Sequence, residues 1–135
     1  MYLSFRFDAD TPWAMDLRKV HRIEPNQGIF GLPKQKASVL GLLHFGDLLV
    51  PVFDFRQLLG SFLGAATGLP HLVLFYGKES LNAFPARVDE SIQEDCVMVE
   101  NALNAPFLDP CDLIYNDIRY HQLNFRAIEE HLNIP

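Results

Sequence analysis

The stretch VLGLLHFGDLLVPVFDFRQLLG, residues Val39–Gly60, decides the fold of this chain. It contains two apolar runs, Val39–Phe45 and Leu48–Phe53, each long enough for a strand and short for a helix. Gly46 and Asp47 separate them, and a glycine beside an aspartate is typical of a tight hairpin turn because both residues tolerate positive φ. Since both strands are apolar almost throughout, we expect the rest of the chain to cover this hairpin on both faces.

The residues around this hairpin refine its expected geometry. Pro51 cannot donate a ladder hydrogen bond, so it predicts an edge position or a bulge. Asp54 is placed to N-cap a short helix over Phe55–Leu59. Gly60 then stands where a helix stop is expected.

Length and composition limit the class of protein. The 135 residues suit one compact domain, and the net charge of −6 argues against nucleic acid and anionic membrane surfaces as partners. No apolar run approaches the length of a membrane span, and no basic region precedes an apolar core near Met1, so we expect a cytoplasmic protein without direct membrane insertion. Cys96 and Cys111 lack metal-ligand spacing and are expected to be reduced thiols.

The remaining elements follow from alternation and turn signals. A strand over Leu81–Val88 is expected to end at Asp89-Glu90-Ser91, and Ser61–Pro70 is expected to be a linker. Pro25–Lys36 is expected to be a loop pinned to the core by its apolar residues Ile29, Phe30 and Leu32. The other expected strands are Tyr2–Phe7, Trp13–Met15, His21–Glu24, His71–Tyr76, Ile92–Val99, Asp112–Tyr115 and Ile118–Leu123, with an amphipathic helix over Phe125–Leu132.

The two halves of the chain repeat one order of elements. Aligned without a gap, Phe45–Leu58 falls on Tyr115–Ile128, so that the two hairpin turns coincide. Each half is a hairpin, a third strand, a loop, a second hairpin and a short helix. Five short strands per half predict two small barrels, with approximate and intertwined subdomains over 1–64 and 65–135 of a single domain.

Two patterns in the sequence are similar to a known family. One is the spacing of Gly41, Pro51 and Asp54 in the hairpin, and the other is Val88-Asp89 after the later strand pair. In these residues the chain resembles the CheW-like domains of bacterial chemotaxis systems, and the likeness extends over nearly the whole chain. The resemblance implies an all-β fold of two five-stranded SH3-like barrels with short helices, one of them C-terminal.

The resemblance also implies a function. Such domains are non-catalytic adaptors without a cofactor, which couple the regulatory domain of a CheA-like histidine kinase to the cytoplasmic tip of a chemoreceptor. Recruitment to membrane receptor arrays would follow. The partner-binding residues implied are Val20 and Arg22 on the kinase side, and Gly41, His44, Gly46 and Asp47 on the receptor side.

Three positions depart from the family pattern. Arg22 stands where the family has glutamate, His44 where it has asparagine, and Gly46-Asp47 where it has arginine-glycine. Charge reversals of this kind cost several kcal/mol against the wrong partner. The departures predict a divergent member with a cognate partner of its own.

Other functions are weighed against this one. Asp8 and Asp10 favour a plain turn over a calcium loop, because Trp13 stands where such a loop requires glycine. Asp89-Glu90 with Glu94-Asp95 could form an acid/base pair, but a strand-end cap at Asp89 with solvated neighbours is favoured. The five histidines show no metal-binding spacing, and His44 is either a partner contact or a satisfied strand residue.

The alternatives that stay open are a small-ligand-binding β-barrel, a hydrolase that uses acidic residues, and a CheW-like scaffold outside chemotaxis, for example in pilus motility control. A ligand binder predicts an apolar cavity of a few hundred Å³.

Overall fold

A computed structural model describes residues 1–33, 36–60, 63–64, 68–93, 95–103 and 105–135. Much of the expected linker at Ser61–Pro70, and Glu94 of the expected carboxylate pair, lie outside the described residues.

The described chain consists mainly of strands, which confirms the all-β prediction. A single 3₁₀ turn at Leu17–Lys19 follows the first hairpin. The strands are β1 (Tyr2–Arg6), β2 (Pro12–Asp16), β3 (Val20–Pro25), β4 (Ile29–Phe30), β5 (Val39–Phe45), β6 (Leu48–Phe53), β7 (His71–Tyr76), β8 (Leu81–Ile92), β9 (Val97–Glu100), β10 (Cys111–Tyr115) and β11 (Ile118–Gln122), and the helices are α1 (Phe55–Leu59) and α2 (Phe125–Leu132). No helix in the described chain has the length and apolar character needed to cross a membrane.

The strands form one hydrogen-bonded network in which β8 belongs to two groups. The first group contains β3, β7, β6, β5 and β4 around the N-terminal part of β8. The second contains β1, β2, β11, β10 and β9, joined through the C-terminal part of β8. The N-terminal hairpin β1–β2 therefore pairs with strands from the other half of the chain, and the stretches 1–64 and 65–135 interleave. The expected count of two barrels stays a prediction.

The prediction that a strand ends at Asp89 and the next begins at Ile92 was wrong, because β8 continues past Asp89 to end at Ile92, and β9 begins at Val97. Its ladder with β1 shifts by one residue between the Phe5–Val88 and Ser4–Glu90 pairs, which leaves Asp89 as the extra residue of a β-bulge. Asp89 therefore does not cap a strand end. A bulge bends its strand, and here it lies where β8 passes from the first group to the second.

Two polar contacts stabilise this bulge. The Glu90 N–H donates to Ser4 Oγ, and the Ser4 hydroxyl donates to the Glu90 carbonyl, each at 3.1 Å. The Ser4 side chain thus satisfies both backbone groups of Glu90 where the regular ladder is interrupted. Arg6 Nε donates to Asp89 Oδ2 at 3.0 Å on the same strand pair.

The core has three clusters of buried side chains. One lies within each group of strands, and the largest collects residues from both groups and both helices. This largest cluster is aromatic, with Phe55 stacked on Phe84 at 4.5 Å between ring centroids. The two helices that cover it begin at equivalent caps, since Asp54 accepts a hydrogen bond from Arg56 N and Asn124 accepts one from Ala127 N. Gly60 ends α1 in a right-handed conformation, so its freedom to take positive φ is not used.

A buried carboxylate holds the turn between β1 and β2. Asp8 is fully buried and accepts hydrogen bonds from Asp10 N at 3.0 Å, from Thr11 N at 2.7 Å, from Thr11 Oγ1 at 3.1 Å and from Gly64 N. Burial raises the pKa of Asp8, but these bonds to the ionised form outweigh it and hold the pKa below its ordinary value. The turn is thus fastened to the segment that follows α1.

A second buried carboxylate joins the strands of the second group. Asp112 Oδ1 accepts from Asn101 Nδ2 at 2.8 Å and is 3.1 Å from His121 Nδ1, while Oδ2 accepts from Arg119 Nε at 2.6 Å. Burial raises the pKa of Asp112, but the hydrogen bonds from these partners lower it, and the bond from Arg119 has the largest effect among them. The pKa therefore lies below the ordinary value.

Candidate interaction surface

The turn between β5 and β6 consists of Gly46 and Asp47. Gly46 has a φ of +60°, whereas Asp47 does not have a positive φ. A positive φ at the first central residue alone defines a type II′ turn, which suits the twist of a hairpin. The equivalent turn between β10 and β11 is type I′, because Asn116 and Asp117 have φ values of 49° and 62°. The repeat therefore preserves the hairpin with different turn chemistry.

One face of the sheet formed by β4, β5 and β6 is open to solvent. Residues directly opposite one another in a ladder point to the same side of a sheet. The cross-strand pairs Phe30–Leu42, Leu42–Pro51 and His44–Leu49 therefore form one surface, which we call the hairpin face: Phe30, Leu42, His44, Leu49 and Pro51. The expectation that this hairpin is covered on both faces was wrong, because only the opposite side, with Leu43 and Val50, is buried.

Large apolar side chains are exposed on the hairpin face. Leu49 is 54% exposed and Phe30 is 40% exposed, and the His44 ring lies 5.6 Å from the Phe30 ring at an interplanar angle of 33°. Phe30 and Leu32 were predicted to pin their loop to the core, which was wrong, since both are exposed. Ile29 of that loop does pack against the first-group cluster. Contiguous exposed apolar surface of this kind marks interaction sites in soluble proteins.

The side chains of β3 meet the tip of the same hairpin. The Arg22 guanidinium lies 5.8 Å from the centre of the Phe45 ring, and its Nε is 2.7 Å from Glu24 Oε1. His21, which is bulged out of the β3–β7 ladder, packs edge-on against Phe45 at 5.6 Å and shares a 2.7 Å hydrogen bond with Tyr76. These contacts close the gap between β3 and β5 by side chains rather than by a backbone ladder.

Gly41 has an internal role. Its φ is +149°, and a Cβ on it would lie 2.2 Å from the Phe30 carbonyl oxygen. The close backbone approach expected at Gly41 is therefore to β4 of the same chain, and it sets the position of Phe30 on the hairpin face. Val20 is likewise turned inward, half-buried and packed against the largest cluster.

The structure thus brings four of the six predicted partner-binding residues to the surface around one tip: Arg22, His44, Gly46 and Asp47. A shallow pocket of about 190 Å³ lies beside two of them, His44 and Gly46. Its other lining residues are Glu24, Pro25, Gln27, Leu43 and Phe45. Sequence reasoning did not find Leu49, Phe30 and His21. The period-two pattern across the turn places Leu49 opposite His44, and this signal could have identified Leu49.

The residues predicted to be structural are divided between the two groups of strands. Asp54 caps α1 directly after β6, and Pro51 faces solvent opposite Leu42, where β6 meets β8 only at Val52. Val88 lies next to the bulge at Asp89.

The described residues give little support to an acid/base pair or to a metal site. Asp89 is paired with Arg6, and Asp95 is exposed to solvent. Within the described ranges, no three His, Cys, Asp or Glu side chains are grouped closely enough to hold a metal ion.

Comparison with known proteins identifies the fold. No protein-family model matches the sequence, and no curated protein matches it either. Among solved structures, the scaffolding protein TtCheW from Thermoanaerobacter tengcongensis superposes with a TM-score of 0.73 at 12% sequence identity, over 91% of this chain and 88% of that one. The strand order, the C-terminal helix and this superposition together show that the chain has the CheW-like fold.

Proposed function

We propose that this chain is a non-catalytic adaptor of a chemotaxis-type signalling pathway, which couples a CheA-like histidine kinase to the cytoplasmic tip of a chemoreceptor. One observation carries the proposal: a chain with the CheW-like fold leaves the apolar hairpin face uncovered, with Leu49 more than half exposed. Binding a partner removes that surface from water, at about 25 cal/mol per Å².

The two sides of the hairpin tip divide the proposed contacts. Arg22 is the kinase-side residue, and its pairing with Glu24 leaves a nearly neutral patch at that position. His44, Gly46 and Asp47 are the receptor-side residues, next to the hairpin face. Val20 and Gly41 support this surface indirectly: the half-buried Val20 packs β3 against the largest cluster, and the buried Gly41 sets the position of β4.

The negative charge of Asp47 on this surface favours a partner specific to this chain over the partners that other members of the family bind. Asp47 is exposed at the turn, and no ion pair within the described chain neutralises its carboxylate. A partner that docks here needs a lysine or arginine opposite Asp47, because an unpaired carboxylate in an interface is costly. The adaptor works in the cytoplasm, at the inner side of receptor arrays.

Titration of the purified chain against kinase regulatory domains and receptor tips from the same cell tests the proposal. We expect micromolar or tighter binding to at least one of them by calorimetry. Leu49→Lys should weaken that binding at least tenfold, because it places a charge where about half a leucine side chain is to be buried. Ile118→Lys is the control, since Ile118 is an exposed apolar residue of the second hairpin and lies outside the hairpin face.

Failure to bind any kinase domain or receptor tip would rule out the chemotaxis role. Binding to regulators of pilus motility instead would assign the chain to a scaffold outside chemotaxis. Equal losses with Leu49→Lys and Ile118→Lys would show that the hairpin face is not the docking surface.

A further inference from the structure

Strand β9 ends the sheet. It pairs with β10 and with no other strand in the described part of the chain, so one of its two edges has no ladder partner. An edge of this kind presents backbone N–H and C=O groups that another extended segment can pair with. The strand lies in the second group, whereas the hairpin face belongs to the first.

The side chains of β9 are apolar and exposed. Val97 is 60% exposed and Met98 is 48% exposed. Met98 lies opposite Leu113, which lies opposite Tyr120, and both of these are buried in the second-group cluster. Met98 therefore continues the cross-strand row of Tyr120 and Leu113 to the edge of the sheet. Beyond Met98 no strand of the described chain covers this row. One more strand beside β9 would continue the sheet and cover Met98.

A cleft begins at this edge. It has a volume of about 530 Å³ and opens to solvent, and Met98 and Cys96 from the β9 side face Tyr2 and Leu17 across it. That volume accommodates one or two large apolar side chains. In strand addition, backbone hydrogen bonds supply affinity and a pocket beside the edge selects the side chain that points into it.

The charges around the cleft indicate the partner's composition. Asp95 and Glu100 are exposed just before and at the end of β9, and neither carboxylate is in an ion pair within the described residues. Arg18, which also lines the cleft, is bound through Nη2 and Nε to the carboxylate of Asp16, at 2.7 Å and 3.1 Å. The two ends of the edge are therefore acidic, and they complement lysine or arginine.

We propose that β9 is a second docking edge, which receives an extended segment of a partner protein with an apolar centre and a basic residue at each end. The segment adds a strand to the second group, places an apolar side chain in the cleft beside Met98, and pairs its basic ends with Asp95 and Glu100. This edge operates independently of the hairpin face, so the adaptor can engage two protein segments at once.

A labelled peptide tests the proposal on the full chain. The probe is a nine-residue fluorescein peptide with two lysines at each end and five alternating isoleucine and threonine residues between them. We expect saturable binding by fluorescence anisotropy, and at least tenfold slower amide hydrogen exchange across Val97–Glu100 when the peptide is bound. Replacing the central isoleucine by proline should abolish binding, because proline removes a ladder donor and distorts the added strand.

Variants of the chain locate the site. Met98→Lys and Glu100→Lys should each weaken binding at least tenfold, the first by filling the cleft with a like charge and the second by removing an ion pair. Leu48 lies at the tip of the β5–β6 hairpin and is about as exposed to solvent as Met98. Leu48→Lys should therefore leave peptide binding unchanged. Circular dichroism and Trp13 fluorescence confirm that each variant is folded.

Several results would overturn the proposal: no saturable binding, equal binding of the proline peptide, or an equal loss with Leu48→Lys. Dimerisation of the chain that protects Val97–Glu100 without peptide would assign the edge to a second copy. Because the peptide contains neither a kinase domain nor a receptor tip, these outcomes do not depend on the adaptor role.

Discussion

Replacing Asp8 by alanine should lower the free energy of unfolding by about 3 kcal/mol at pH 7. The carboxylate accepts four hydrogen bonds, from Asp10 N, from Thr11 N and Oγ1, and from Gly64 N. Hydrogen bonds to a charged group contribute about 1.5–3 kcal/mol each, and their contributions do not add within one network. Asp10 and Gly64 are exposed, so their N–H groups can regain water in the variant, which keeps the total near the value of one or two bonds.

Urea denaturation followed by tryptophan fluorescence measures this change. Trp13 is the single tryptophan, it is fully buried, and its ring lies 5.9 Å from that of Phe7, the residue before Asp8. Asp10→Ala is the matched control, because it removes a carboxylate from the same turn that accepts no backbone hydrogen bond there. It should change the free energy of unfolding by less than about 0.5 kcal/mol.

The pH dependence gives a second readout of the same group. The folded pKa of Asp8 is lowered, so its contribution is present above the unfolded value and is lost as pH falls through the folded one. Below that pH the carboxyl is protonated in both states. The difference in stability between the wild type and Asp8→Asn should therefore shrink as the pH falls below the ordinary pKa of an aspartate, about 4. A difference below about 1 kcal/mol between wild type and Asp8→Ala at pH 7, or one that does not change with pH, would refute this account.

Four further substitutions have expected outcomes in measurements of stability. Gly41→Ala should destabilise the chain by about 3 kcal/mol or prevent folding, because its Cβ would lie 2.2 Å from the Phe30 carbonyl oxygen. The Cβ of Gly46→Ala would meet no atom within 4 Å, so this substitution should cost only about 1 kcal/mol of backbone strain. Asp112→Ala should cost about 3 kcal/mol at pH 7 and less as the pH falls below about 4, since the pKa of Asp112 is lowered in the folded chain and its contribution disappears as the carboxyl is protonated; a cost that does not change with pH would contradict that assignment. Ser4→Ala should cost about 1–2 kcal/mol, because both backbone groups of Glu90 lose their partner at the bulge, and thermal melts within 1 °C of wild type would show that water replaces the hydroxyl.

Local chemistry accounts for what the sequence predicted well. Gly46 marks a turn whatever surrounds it, because the freedom to take a positive φ belongs to glycine itself. Asp54 and Asn124 mark helix starts for the same reason, since a cap bonds to a backbone N–H two or three residues away. The CheW-like fold itself was indicated by the family resemblance of Gly41, Pro51 and Asp54 in the hairpin and of Val88-Asp89 after the later strand pair.

Long-range contacts account for what was missed. The bulge at Asp89 depends on Ser4, which is 86 residues from Glu90 in the chain, and no local pattern distinguishes this bulge from the end of a strand. The exposure of Phe30 and Leu49 was hidden for a different reason. An apolar strand residue has the same appearance in the sequence whether its own chain or another protein covers it, so the hairpin face was read as core.

The sharing of β8 has a consequence for synthesis on the ribosome. The chain makes its N-terminal hairpin first, but that hairpin pairs with the C-terminal part of β8, and Trp13 pairs with His121 on β11. At about 5–20 residues per second, the partner of Ser4 is made roughly 4–17 s later. During that interval Phe5, Phe7 and Trp13 have no apolar cover from β8 or β11. The nascent chain should therefore be a substrate for chaperones that hold apolar strands, and its yield in cells should depend on them more strongly than its final stability suggests.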